Sequence, residues 1–334
     1  MYSIVQKLLM QCDAERSHDF SMAFLKGSQH NLLKNVYAQS LSGKPLECLG
    51  LSFKNPIGLA AGLDKNAECI DAFDAMGFGF IEVGTTTPLA QLGNAKPRMF
   101  RLPQHNAIIN RMGFNNKGVD YLVERVKQSN YQGVLGINIG KNKNTPEENA
   151  IDDYLICMRK VYELASYITI NISSPNTPGL RNLQYGELLK TLLSDLKTEQ
   201  TLLHKATGKY VPLAVKIAPD NTQPQIHDIA TALIETGMDA VIATNTTLAR
   251  DSVQGHKHAN EMGGLSGAVL TKQSNDITQM LSKALNGAMP IIGVGGISNA
   301  QDAAQRYASG ARLLQVYSSF IYQGPPLLKE LTNV

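Results

Sequence analysis

From Leu46 onward the chain repeats one rhythm, and that rhythm constrains its fold more than any single motif. Short, β-branched apolar runs end in small or polar residues, and a helix-length segment follows each. The runs occupy residues 57–61, 80–84, 134–138, 167–170, 213–217, 240–244, 291–295 and 313–317. Near-continuous apolar strands alternating with helices require a parallel sheet covered on both faces, and eight such units argue for a closed (β/α)8 TIM barrel. A chain of 334 residues holds one such barrel and a small appendage. The rival is an open doubly wound sheet, which would carry Gly-x-Gly-x-x-Gly after its first strand. Here Gly293-Val294-Gly295-Gly296 comes late and runs into Ile297-Ser298, so that fingerprint fails. Gly136 to Asn142 also fails as a P-loop, being one residue short between its glycines and having Asn142 where Ser or Thr must hold magnesium.

Composition removes several function classes. A net charge of +3 without any Lys/Arg run argues against nucleic acid. Cys12, Cys48, Cys69 and Cys157 lie far apart, which fits free thiols in a reducing compartment and neither a disulfide framework nor a zinc site. His256 and His258, two apart in a polar loop, are a thin basis for a metal site. No apolar run approaches the about 18 residues of a membrane span, and no signal peptide opens the chain. The expectation is a protein on the cytoplasmic side that can still touch a membrane.

Residues 1–42 form a separate expected unit. Ile4, Val5, Leu8, Leu9 and Cys12 fall on one helical face, with Lys7 and Gln11 opposite. Asp13 is a plausible N-cap for a second helix with Phe20, Ala23 and Phe24 on its apolar face, ended by Gly27-Ser28. A third helical stretch is expected from Asn31 to about Leu41, and Ser42 to Pro45 as a linker. Such helices either pack on the barrel or dip into a bilayer surface; the pattern is the same for both. The charges here (Lys7, Arg16, Lys26 and Lys34 against Asp13, Glu15 and Asp19) do not decide between them.

In a barrel the residues closing each strand converge on one mouth. Here these are Ala61-Gly62 with Leu63 to Asn66, Gly84 to Pro88, Asn138, Asn171 and its loop, Lys216, Thr244 to Thr247, Gly295-Gly296 and Tyr317 to Ser319. Singly, each has an ordinary turn or cap role. As a set, two lysines, four asparagines and several hydroxyls suit a planar, polar or anionic ligand rather than a metal. The fourth strand's loop, Asn171 to Gly179, is the most constrained, because two prolines and a glycine forbid regular structure there. The backbone at Gly295-Gly296 and Tyr317-Ser318 offers the phosphate cradle that barrels place after strands seven and eight, with Gly263 to Gly267 a third close approach. A phosphorylated cofactor in this setting suggests flavin mononucleotide, FMN, with Lys216 placed to stabilise charge on a reduced ring. Between strands two and three, Arg98 to Leu102 and Ala107 to Asn110 read as a hairpin, leading into Arg111 to Asn116, a candidate substrate wall.

Across essentially its whole length the chain resembles the class 2, quinone-reducing dihydroorotate dehydrogenases. The anchors are Gly62 to Asn66, Ile109 to Asn116, Gly136 to Lys141, Asn171 to Arg181, Lys216 to Asp220, Ala243 to Thr247, Gly263 to Gly267 and Gly293 to Ile297. The resemblance implies oxidation of (S)-dihydroorotate to orotate in pyrimidine biosynthesis, with FMN as carrier and ubiquinone or a related quinone as acceptor. It implies flavin contacts from Ala60, Ala61, Gly62, Leu63, Asp64, Lys65, Thr85, Asn138, Asn171, Lys216, Thr244, Gly267, Gly296, Tyr317 and Ser318. Substrate contacts would come from Lys65, Asn110, Arg111, Met112, Gly113, Phe114, Asn171, Asn176, Asn245 and Thr246. Ser174 matches the family's catalytic base, with Thr177 and a water to carry its proton onward. Class 1 relatives place a cysteine there, and none of the four cysteines falls in this loop.

The same resemblance assigns residues 1–42 to membrane association and quinone access, and residues 43–334 to the FMN-binding barrel. The implied location is peripheral, on the cytoplasmic face of the inner membrane, with a monomer as the default state. Two positions depart from the family pattern: Ala268, where a basic residue is usual, and Ser319, where Gly or Ala is usual. A backbone cradle tolerates both. Two other readings remain: a class 1-like FMN barrel using fumarate or NAD, and a membrane-attached barrel that binds without turnover.

Overall fold

The structure, a computed structural model, describes residues 9–41 and 43–334. Ile4, Val5, Lys7 and Leu8 of the first expected helix lie outside the described residues, as does Ser42; residues 9–11 are helical.

The chain order begins with helix α1 (Ala14–Ser28) and an antiparallel hairpin of β1 (Leu46–Cys48) and β2 (Leu51–Phe53). Barrel strands β3 (Ile57–Leu59) and β4 (Phe80–Thr86) flank α2 (Ile70–Ala75). A second hairpin, β5 (Met99–Leu102) and β6 (Ala107–Asn110), precedes α3 (Val119–Gln128), β7 (Val134–Ile139), α4 (Ala150–Val161) and β8 (Tyr167–Asn171). There follow α5 (Gly186–Thr207), β9 (Leu213–Ile217), α6 (Gln223–Glu235), β10 (Ala240–Ala243), β11 (Gly264–Gly267), α7 (Thr271–Leu285), β12 (Ile291–Val294), α8 (Ala300–Ala308) and β13 (Ala311–Val316). Short helices α9 (Ser318–Gln323) and α10 (Pro326–Leu331) follow β13. Strands β3, β4, β7, β8, β9, β10, β12 and β13 close a parallel barrel in chain order, so each expected strand is found where its apolar run lies.

Side chains alternate in and out along each strand, and this sorts the core. Ile81, Val83, Ile168, Ile170, Val215 and Leu314 point outward into the shell between strands and helices. Phe80, Tyr167, Ala214, Ile242, Ile292 and Leu313 fill the barrel interior with Phe53, whose ring meets Phe80 edge-on at 5.2 Å. The β1–β2 hairpin thereby plugs one end of the barrel. Following the same parity toward the other end brings Glu82, Asn138, Asn171, Lys216, Gln315 and Tyr317 to the interior of the mouth. The apolar plug and the polar mouth are thus two ends of one alternating pattern.

Asp13 caps α1 as expected, accepting from the backbone N–H groups of Glu15 and Arg16 at 3.1 and 2.9 Å. The expected third helix is not formed: only a 3-10 segment, Leu32–Val36, follows. Asn31 caps it, after which Gln39 is drawn onto the barrel, its Nε2 donating to the Met76 and Pro325 carbonyls at 2.7 and 2.8 Å. Those long-range bonds win over a continued helix. The expected β5–β6 hairpin is present, but it gains a third strand, since β11 pairs antiparallel with β6.

Candidate active site

An open cleft of about 1040 Å³ occupies the mouth formed by the barrel strands' C-terminal ends. Ala60, Ala61, Gly62, Lys65, Thr85, Asn171, Lys216, Thr244, Gly267, Gly296, Tyr317 and Ser318, all expected cofactor contacts, line it. So do Asn110, Met112, Gly113, Phe114, Asn176, Asn245 and Thr246 from the expected substrate set, and Ser174. The fold therefore gathers most of the candidates in one place.

Four candidates are not part of that lining. Leu63 lines a second cavity beside α1. Asp64 is fully buried, and its carboxylate accepts the Glu68 and Cys69 N–H groups at 2.9 and 2.8 Å. It builds the turn, and burial pushes its carboxyl up to about 6. Asn138 lies beneath the cleft, hydrogen-bonded to Glu82 and Thr85. Arg111 donates to Glu261 at 2.8 Å and stacks 4.7 Å over the Phe100 ring. A contiguous motif bends around the mouth, so its members face different ways.

The two cleft lysines differ in setting. Lys216, on β9, is buried, and desolvation lowers its pKa, opposed by the charge of Glu82. Lys65 is pushed down to about 8 by burial, aided by the charge of Arg98. Neither ammonium makes a hydrogen bond or ion pair among the described residues, so each is available to an anionic or electron-rich ligand.

Opposite them the backbone approaches closely. Gly296 has φ +72°, and a Cβ there would lie 2.3 Å from the Thr271 nitrogen at the start of α7. Only glycine fits both the left-handed backbone and the space. Thr271 Oγ1 donates to the Gly296 carbonyl at 2.5 Å. From behind, the buried Arg306 of α8 donates to the Val294 and Gly295 carbonyls at 3.2 and 2.8 Å. Ser266 of β11 and Ser318 share a 2.8 Å hydroxyl–hydroxyl bond on the adjoining wall.

Ser174 sits in the loop after β8, buried, accepting the Asn176 N–H at 3.2 Å. Asn176 Nδ2 donates to the Asn110 carbonyl at 3.1 Å, which joins this loop to the β5–β6 hairpin. Arg181 clasps the loop's far end, donating to the Ser173 and Thr246 carbonyls at 3.0 and 2.8 Å and to Asp220 at 2.8 Å. Thr246 Oγ1, Thr177 Oγ1 and Gln315 Oε1 are buried and without hydrogen-bond partners among the described residues. Of these residues, Thr246 and Gln315 belong to the cleft lining, so two unmet polar groups lie in its wall.

Residues missed from sequence include Arg306, Ser266, Gln315 and above all Glu82. Glu82 is the only charged residue of β4, set within the apolar run Phe80 to Gly84, and that exception was its available signal. Attention to strand ends alone passes over it.

The second cavity, about 1950 Å³, lies between α1, the 3-10 segment and the barrel. Its walls are mainly apolar, among them Met22, Leu25, Met99, Ile108 and Ile321, with Ser17, His18, Ser21, Gln39 and Arg101 as polar exceptions. Burial, with a further push from Lys65, drives the His18 imidazole down to about 3, so it stays neutral. No helix among the described residues is long and apolar enough to cross a membrane.

The family model for dihydroorotate dehydrogenase matches residues 45–333. A Pseudoalteromonas atlantica protein named dihydroorotate dehydrogenase (quinone) is 62% identical over 333 residues, covering 100% of this chain and 99% of that protein. The Proteus mirabilis protein of the same name is 59% identical over 332 residues, covering 99% of each. The Eimeria tenella DHODH crystal structure in complex with ferulenol superposes with a TM-score of 0.88 at 40% identity, over 96% of this chain and 89% of that one. With a barrel whose mouth carries the expected cleft, and with relatives matching end to end, the chain belongs to the dihydroorotate dehydrogenase family, among its class 2, quinone-dependent members.

Proposed function

We propose that this protein oxidises (S)-dihydroorotate to orotate with FMN as carrier and a quinone as final acceptor, in pyrimidine biosynthesis. Members of the family are flavoproteins. The residues at the mouth fit FMN in particular: a glycine backbone at Gly296 seated against the start of α7 where no side chain fits, an unpaired buried lysine, and an acceptor on Gln315 lacking a donor. Gly267, Gly296 and Ser318 would hold the phosphate by backbone and hydroxyl donors, and Ala60, Ala61, Thr85, Asn171, Thr244 and Tyr317 would wall the ring system. Lys216 would neutralise charge on the ring. When bound, FMN supplies a two-electron acceptor for hydride from substrate C6 and returns the electrons to quinone.

The protein's own share is orientation and proton transfer. Lys65, Asn110, Asn176, Asn245 and Thr246 would fix the substrate's carboxylate and ring amides, with the unpaired Thr246 hydroxyl completing the set. Met112, Gly113 and Phe114 close the wall. Ser174 removes the C5 proton. A serine hydroxyl is a weak base, so it must act in a buried site that stabilises the developing charge and must shed its own proton. Thr177, in the same loop and with its hydroxyl unpartnered, carries that proton outward through a water.

The observation that carries this reading is Ser174 buried beside unpaired Lys65, Lys216 and Thr246 in one cleft. Quinone-dependent relatives are membrane-associated. Here residues 1–42 would dock on the cytoplasmic face of the inner membrane and admit quinone to the second cavity. Phe20, Leu32 and Val36, exposed by 65%, 85% and 61%, would meet the lipid. The decisive test is spectroscopic. Purified protein should show a flavin spectrum that bleaches on adding dihydroorotate and recovers with quinone; recovery with fumarate and none with quinone would overturn the reading.

A further inference from the structure

We propose that Glu82 is a positioning residue that closes one end of a directed hydrogen-bond chain under the cleft and, together with the backbone N–H groups of Ser173 and Thr246 farther along it, holds Asn171, Asn245 and Gln315 in the orientation that ligands meet. The proposal rests on the dihydroorotate reading above, because it concerns how that substrate's pocket is polarised.

A carboxylate can only accept hydrogen bonds. Glu82 is fully buried inside the barrel and takes three bonds, from Asn138 Nδ2 at 2.8 Å, Tyr167 OH at 2.8 Å and Gln315 Nε2 at 2.7 Å. With its nitrogen committed to Glu82, Asn138 must present its oxygen upward, where the Thr85 hydroxyl donates to it at 2.5 Å. Thr85, having spent its proton, can only accept, and Asn171 Nδ2 donates to it at 2.9 Å. Asn171 therefore turns its oxygen to Ser173, whose hydroxyl donates at 3.1 Å. Ser173 in turn accepts from Asn245 Nδ2 at 2.9 Å, and the Asn245 oxygen accepts the Thr246 N–H at 2.8 Å. All six donors point toward Glu82, from Thr246 at one end to Asn138 at the other.

An amide can be flipped end for end at little steric cost, so packing alone would not fix Asn138 or Asn171. The acceptor-only terminus fixes Asn138, and at Asn171 it agrees with the Ser173 backbone N–H, which donates to the Asn171 oxygen at 3.3 Å. On the other branch it holds Gln315 by its nitrogen, which leaves Oε1 as the unpartnered acceptor at the cleft. A glutamine at position 82 would bring one donor into this nest. It would have to reverse either the branch through Asn138, setting Asn171 Nδ2 against the Ser173 N–H, or the Gln315 branch, turning a donor toward the cleft.

The test uses FMN-loaded protein and calorimetric titration with orotate, alongside FMN affinity of the apoprotein. Glu82→Gln should weaken orotate or FMN roughly 10-fold, the scale of one misplaced hydrogen bond. Ser173→Ala cuts the chain between Asn171 and Asn245 at a residue outside the cleft lining, and should weaken orotate without affecting FMN. In the Ser173→Ala background, Glu82→Gln should add less than about 2-fold to the orotate loss. The double change Glu82→Gln with Asn138→Asp moves the carboxylate one link along and should recover orotate affinity. Unchanged affinities in Glu82→Gln, additive losses with Ser173→Ala, or no recovery in the folded double variant would overturn the chain. If Glu82→Gln does not fold, unchanged orotate affinity in Ser173→Ala overturns it. Wild-type protein that takes up FMN but no orotate would instead overturn the dihydroorotate reading, and the chain's purpose with it.

Discussion

Glu15→Gln should loosen α1 from the barrel while leaving the barrel intact. Glu15 lies in the first turn of α1, yet its side chain is 8% exposed because it reaches across to Arg98, just before β5. Arg98 grips it with two nitrogens, Nε at 3.1 Å to both carboxylate oxygens and Nη2 at 2.7 Å, and Lys96 adds a second cation at 3.1 Å. Arg98 is anchored in turn by donating to the Leu92 and Asn94 carbonyls at 2.6 and 2.9 Å. The other ion pair from α1, Lys26 to Glu68 at 2.7 Å, is far more exposed and worth about 0–1 kcal/mol. Removing one partner of a buried pair costs about 3–5 kcal/mol. Glutamine keeps one acceptor, so about 2–3 kcal/mol is the expected loss.

At 1.36 kcal/mol per decade, that loss raises the opening of α1 roughly 30- to 150-fold. Hydrogen exchange reads it directly: amides of α1 should lose that much protection while those of β7, β8 and β9 keep theirs. Acid should act on the same contact. Burial alone would raise the Glu15 pKa, but the hydrogen bonds and charges of Arg98 and Lys96 outweigh it and hold the carboxyl below its usual value. A depressed carboxyl contributes stability above its unfolded value near 4.5 and loses it as pH falls through the lower, folded value. Wild-type α1 should therefore open below about pH 4.5, and Glu15→Gln should not show that extra step. Equal loss of protection in α1 and the barrel, or none in either, would refute the idea that this one contact docks the helix.

Ser174→Ala should bind flavin and orotate within a few-fold of wild type yet lose about 10²–10⁴ in single-turnover flavin reduction near neutral pH, the usual weight of a general base; an unchanged rate would exclude Ser174 from that role. Orotate affinity should fall by up to about tenfold per pH unit above pH 8, as Lys65 loses its proton and its hold on the carboxylate, and Lys65→Arg should remove that break. The folding linkage has the opposite sign. The unfolded lysine keeps its proton up to about 10.5, so stability should rise between pH 8 and 10.5 while affinity drops, and urea titrations at the two pH values separate the effects.

How legible the fold was depended on whether a residue's partner was near in sequence. The eight barrel strands were readable because burial on both faces makes each one a nearly unbroken apolar run. Asp13 was readable as a cap because its partners are two and three residues away. Strand β11 was not, since Gly264 to Gly267 is extended through its pairing with β6, more than 150 residues back, and through a bridge from Leu265 to Thr247. The failed third helix has the same cause, its continuation being overruled by Gln39 bonding to Pro325. Arg306, on a short polar helix, resembles any surface arginine until it is seen turned inward under Gly295.

Within the site, motifs located the mouth but not the direction each member faces. Ala61, Gly62 and Lys65 line the cleft, while Leu63 and Asp64 between them turn to the neighbouring cavity and to the turn's own backbone. A loop crossing a barrel mouth cannot aim five consecutive side chains at one ligand, so some residues of any such motif must shape the loop itself. Strand parity supplies what the motif lacks. Phe80 inside implies Glu82 inside, two residues nearer the mouth, where a buried carboxylate must be met by donors. That inference needs only the sequence of β4, and it leads to Asn138, Tyr167 and Gln315, the three donors the carboxylate collects.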